Sequence, residues 1–168
     1  MGYVEENQSE QVLPMAGGEP GVFQTVSYMR GFALAGASTP EVRAAAEEAV
    51  RPSAARDWPA EARAIEAWVR AHLRYTRDGL KVETLKTPQR ALAEVRQYGR
   101  YLGDCDDASM LVAAMLLAVG HRPAFQVLGR GNVPHHVNVL DLTSKLVLDP
   151  TGEPAGLFGY RRVYPVSD

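Results

Sequence analysis

The chain has 168 residues, 46% of them hydrophobic and 23% charged, with a formal net charge of -2. This is the size and balance of one globular domain with a single core, without the basic field that a nucleic-acid partner calls for. No apolar run approaches the ~20 residues of a membrane span. The first twenty residues lack the base and apolar stretch of a secretory leader, and one Cys allows neither an intrachain disulfide nor a Cys-based zinc knuckle, so a cytoplasmic setting is expected.

Residues 1–37 are rich in Gly, Glu and Gln, are broken by Pro14 and Pro20, and carry only short apolar pieces. They are expected to form an extended N-terminal arm, ordered only where it packs, ahead of a domain at 38–168. Residues 1–29 hold Glu5, Glu6, Glu10 and Glu19 and no base. Such a stretch is either a solvated tail or an arm that docks on a partner.

Helix signals begin at Ser38, which has capping-box spacing to Glu41; the alternative cap Thr39 would put Pro40 at the favoured first position. A second start, Asp57 with Pro59, precedes Ala62, Ile65, Val69 and Leu73 at helical spacing. A third, Thr87-Pro88, runs to about Val95 and ends near Gly99. From Asp106 to Val119 the side chains are apolar almost all round, the mark of a buried helix, and Gly120 stops it. The period then changes to two. Residues 125–128, 136–140, 145–148 and 163–166 read as strands separated by Gly and polar turns. Helices followed by an antiparallel sheet make an α+β fold.

Cys105 lies in Gly103-Asp104-Cys105-Asp106-Asp107, at the start of the buried helix. A helix N-terminus favours a thiolate, whereas three neighbouring carboxylates disfavour a further anion. Asp104 and Asp107 have the spacing to cap the helix. The cluster Asp104, Asp106 and Asp107 also admits a cation-site reading, but adjacent residues around a helix start converge poorly on one ion, and no metal or other cofactor is expected.

The strands flanking Asp141–Ser144 supply a partner. If Leu140 faces Lys145, paired residue numbers sum to 285, Val139 faces Leu146, and His136 faces Asp149 on one face of the sheet. That makes the His–carboxylate pair that orients an imidazole. His135 would point to the opposite face, away from any carboxylate. His72 and His121 read as structural or solvated.

Gly103-Asp104-Cys105, His136-Val-Asn-Val-Leu140 and Leu148-Asp149-Pro150-Thr151 together resemble the transglutaminase-like superfamily of papain-type cysteine enzymes, over roughly residues 57–151. The resemblance implies a Cys that opens a buried helix packed on an antiparallel sheet, with Cys105 as nucleophile, His136 as base and Asp149 as orienting carboxylate. It further implies acyl transfer on peptide or side-chain amides through a thioester, with a protein or peptide as substrate. Two positions after the His, where family members commonly carry an aromatic residue, stands Asn138. The oxyanion-side group is not marked by a motif; Gln97, eight residues before Cys105, is the candidate. The compact form looks most like small bacterial and phage-encoded members. The competing expectation is therefore a non-catalytic phage virion or assembly protein that binds phage structural proteins through its N-terminal arm, in the host cytoplasm or within a virion.

Overall fold

The computed structural model describes residues 10–13, 18–77, 83–152, 156–157 and 159–168. In chain order these form β1 (Glu10–Leu13), α1 (Gly18–Ala37), α2 (Pro40–Val50), α3 (Trp58–His72), β2 (Leu73–Tyr75), β3 (Glu83–Lys86), α4 (Pro88–Tyr98), β4 (Tyr101–Gly103), α5 (Cys105–Ala118), β5 (Pro123–Arg130), β6 (Val133–Asp141), β7 (Leu146–Leu148) and β8 (Arg161–Pro165). The fold is mixed α+β: five helices and an antiparallel sheet ordered β7-β6-β5-β8, with two small two-stranded pairings, β1-β3 antiparallel and β2-β4 parallel. Among the described residues no helix is long and apolar enough to cross a membrane.

The helix starts follow from side chains that satisfy otherwise unpaired backbone N–H groups. Thr39, rather than Ser38, caps α2, accepting from the Val42 N–H with Pro40 next in line. Asp57 caps α3 and Thr87 caps α4 in the same way. Gly99, at φ 76°, ends α4 in a left-handed conformation that costs glycine nothing. The last of these caps, at α5, sets the position of the cysteine.

Helix α5 is the centre of the molecule. Met110, Leu111, Met115 and Leu116 are fully buried, and all four other helices as well as β5 and β6 touch it. Its apolar circumference is filled on every side, as the sequence pattern requires.

Residues 18–37, expected within an extended arm, instead form α1, which lies along α5 and reaches β6. Its sequence is a weak helix former, with Gly18, Gly21, Gly31 and Gly36. Burial of Val26, Met29 and Ala33 against the core supplies what local propensity lacks. The remainder of the expected arm, apart from β1, lies outside the described residues.

The β6–β7 register also differs from expectation. Val139 faces Leu148, Leu140 faces Val147 and Asp141 faces Leu146, so paired numbers sum to 287 rather than 285. The closing pair moves out by one residue because Asp141 organises the loop beyond it. Its carboxylate accepts from the Thr143 and Ser144 N–H groups (3.2 and 3.1 Å) and from the Ser144 hydroxyl at 2.5 Å. Lys145 takes φ 64° and donates its N–H to the Asp141 carbonyl at 2.8 Å. A shift of two in the sum keeps every side chain on its own face, whereas a shift of one would exchange the faces.

Candidate active site

The site is built where the start of α5 meets β6. Asp104 accepts from the N–H groups of Asp106 (3.0 Å) and Asp107 (3.3 Å), and Asp107 returns the bond by accepting from the Asp104 N–H at 3.2 Å. This reciprocal box fixes Cys105 as the first residue of the helix. It also occupies two of the three acidic side chains of the cluster. Among the described residues no group of three His, Cys, Asp or Glu side chains is placed to hold a metal ion. One turn on, the Ser109 hydroxyl donates to the Val137 carbonyl at 3.3 Å and pins β6 against this end of the helix.

A bulge in β6 aims the histidines. Leu128 pairs with His136, but Gly129 pairs with Pro134, leaving His135 as the extra residue. Position 129 must be glycine, because a Cβ there would run into the Val133 carbonyl. The bulge breaks strict alternation, so His135 and His136 both line one cavity together with Asp104, Cys105 and Asp106. His135 is therefore not on the opposite face; it is exposed at the cavity wall, while His136 is buried.

His136 Nε2 donates to Asp149 Oδ2 at 2.6 Å. Carried one residue beyond β7, the 287 register sets Asn138 opposite Asp149, and His136 reaches the carboxylate diagonally on the same face. Asn138 Nδ2 donates to the same oxygen at 3.3 Å, and Gln126 Nε2 donates to Asn138 Oδ1 at 3.0 Å. Thr151 donates to Asp149 Oδ1 at 2.9 Å. The backbone of Asp149 is clamped from α3. Glu66 accepts the Asp149 N–H at 2.6 Å, and Arg70 donates to the Asp149 and Pro150 carbonyls at 3.0 and 3.4 Å.

Burial alone would raise the Asp149 carboxyl, but the bonds from His136, Thr151 and Asn138 and the charge on His136 hold it below the usual carboxylate value. Cys105 goes the other way. Burial, then Asp106 and Asp104, push its thiol well up; the Val137 N–H facing the sulfur opposes this only in part. The surroundings of Cys105 thus raise its thiol, burial first and the two neighbouring carboxylates next, against the lowering that a helix N-terminus by itself would bring.

Cys105, His136 and Asp149 thus lie in one neighbourhood: the first two on a shared cavity, the third bonded to the second. Gln97 does not join them. It is exposed at the end of α4 and does not line the cavity. Asn138, Gln126 and Glu66 were not singled out from the sequence as part of the site. Only Glu66 carried a signal, lying four residues after Ala62 and three before Val69 on the buried stripe of α3; Gln126 and Asn138 alternate with the apolar residues of their strands and so read as outward-facing.

The chain matches no family model, no curated protein and no solved structure, so the geometry above carries the functional reading by itself.

Proposed function

We propose that this chain is a cysteine-dependent acyl-transfer enzyme with a transglutaminase-like core, in which Cys105, His136 and Asp149 act on a peptide or side-chain amide. The observation that carries this is the 2.6 Å His136 Nε2–Asp149 bond beside the cavity that Cys105 also lines. With Nε2–H given to the carboxylate, Nδ1 is the basic nitrogen, and among the described residues it has no hydrogen-bond partner. Asp149, kept ionised by its three donors, fixes that tautomer and supports the imidazolium when it forms.

The neutral thiol is compatible with general-base attack. His136 Nδ1 takes the thiol proton as sulfur bonds to the amide carbon. The cap uses the Asp106 and Asp107 N–H groups, which leaves the Cys105 N–H as the helix-end donor for the oxyanion. Collapse breaks the C–N bond, and His136 passes its proton to the departing amine. Water or a second amine then attacks the thioester, gives its proton to His136, and the thiol is restored as the acyl group leaves. Water makes the enzyme a protease or amidase; an amine makes it a cross-linking transferase.

One observation favours the non-catalytic phage-protein reading: Phe23, Tyr28 and Leu34 of α1 are 62%, 40% and 42% exposed, an outward apolar surface suited to a partner. An acylation experiment separates the two readings. Treated with p-nitrophenyl acetate at neutral pH, the native chain is expected to gain one acetyl group by intact mass. It should do so faster than the urea-unfolded chain, and Cys105→Ser should gain none. A native chain that acetylates more slowly than the unfolded one contradicts the enzyme reading.

A further inference from the structure

The cavity beside Cys105 has a volume of about 380 Å³, near the low end of the ~300–1,000 Å³ typical of small-molecule sites. It has room for one or two residues of a peptide. Its composition is divided. The polar lining comes from the α5 N-terminus and the β6 bulge, namely Asp104, Cys105, Asp106, His135 and His136. The facing wall is α1, whose Val22, Val26 and Met29 recur at i, i+4 and i+7, with Val127 and Val137 adding to the apolar surface.

Two details make α1 a shaped wall rather than incidental packing. Gly21, a buried glycine within the helix, lines the cavity without presenting a side chain of its own. Thr25, also in the lining, donates its hydroxyl to the Gly21 carbonyl at 3.1 Å, so that the proton serves the helix rather than a ligand. Among the described residues no Lys or Arg lines the cavity. A substrate carboxylate placed there would lose water and lie beside the like charges of Asp104 and Asp106.

Resting on the acyl-transfer reading above, we infer that this cavity is the acyl-side subsite for an uncharged aliphatic side chain of valine, leucine or methionine size, and that α1 is the element that selects it. The amide cleaved or transferred is then the one next to such a residue. An acidic side chain is disfavoured by the like charge of Asp104 and Asp106, and a basic one, though opposite in charge to them, finds no partner on the apolar α1 face that the side chain fills.

Benzyloxycarbonyl-aminoacyl chloromethyl ketones test this directly. The thiolate displaces chloride from the methylene carbon, and the single Cys makes the mass adduct unambiguous. Reagents carrying Leu, Gly, Lys and Glu side chains are compared on the full-length native protein, each rate divided by that of chloroacetamide. The leucine reagent should lead, exceeding the glutamate reagent by at least about tenfold. Val22→Trp, at a partly buried position, should lower the ratio of the leucine to the chloroacetamide rate. Val22→Ala, which only removes atoms, should shift the preference towards a phenylalanine reagent. If the glutamate or lysine reagent equals the leucine reagent while chloroacetamide still labels Cys105, the subsite assignment fails and the nucleophile stands. If no reagent labels Cys105, both fall together.

Discussion

Two buried histidines in this molecule bond to carboxylates, and they differ in what is left over. His121, in the turn after α5, gives Nδ1–H to Asp141 at 2.8 Å and Nε2–H to Glu61 at 2.9 Å, with the Trp58 ring edge-on at 4.9 Å. Both nitrogens donate, so the ring is an imidazolium held between two anions. It ties the start of α3 to the end of β6. His136 bonds Asp149 through one nitrogen, has no partner for the other among the described residues, and lines a cavity shared with a thiol. A histidine with every valence satisfied is a cross-link; a histidine oriented on one side and open on the other is a base. Burial and a carboxylate neighbour do not tell them apart.

The largest effect should come from breaking the cross-link. His121→Gln removes the cation between Asp141, whose side chain is fully buried, and Glu61. Loss of one partner from a buried ionic cluster costs about 3–5 kcal/mol, read as a lowered urea midpoint with an unchanged slope.

The same site sets a pH dependence. Burial would lower the His121 pKa, but its two carboxylates raise it above the ordinary value. A raised histidine stabilises fully below about pH 6.5 and loses that contribution as pH rises through the elevated folded value. Asp141 and Asp149, both lowered despite burial, stabilise above about pH 4 and lose it as pH falls through their folded values. Thermal melts across pH should therefore decline on both sides, and His121→Gln should flatten the alkaline side and, because His121 is the first of the groups that lower Asp141, lessen the acid-side decline as well.

At the open histidine, Asp149→Asn should slow Cys105 acylation by roughly 100-fold through loss of the correct tautomer. Asn138→Ala, which removes one donor to Asp149 and leaves the Gln126 amide without its acceptor, should cost about 1–3 kcal/mol in stability. The smallest effect is expected at Asp106. Asp106→Asn removes the largest cause of the raised thiol pKa after burial, so the thiol pKa falls and iodoacetamide alkylation at pH 8 accelerates by roughly three- to tenfold. No acceleration would mean that burial alone holds the thiol neutral.

Much of this was legible in the sequence, for reasons that are local. Caps at Thr39, Asp57, Thr87 and Asp104 announce themselves by residue type and spacing, and the change of period after Gly120 marks the passage from helix to sheet. The pairing of His136 with Asp149 was reached through a register that is off by two. It survived because an even shift preserves faces. What stayed hidden depends on contacts distant in the chain. Asp141 draws the hairpin closure outwards while bonding His121, and Glu66 meets Asp149 across 83 positions. Helix α1 exists because α5 offers it an apolar surface. His135 reaches the cavity only through the bulge opposite Gly129. None of these is written in a spacing.

The most direct test exchanges each histidine in turn and reads two quantities on both proteins: the rate of Cys105 acetylation and the melting temperature. With His136→Gln the account predicts near-native melting and acylation slowed by about 100-fold or more. With His121→Gln it predicts a depressed melting temperature and near-native acylation wherever the protein remains folded. His136→Gln acylating at the wild-type rate would contradict the assignment of His136 as the base, whatever its effect on stability.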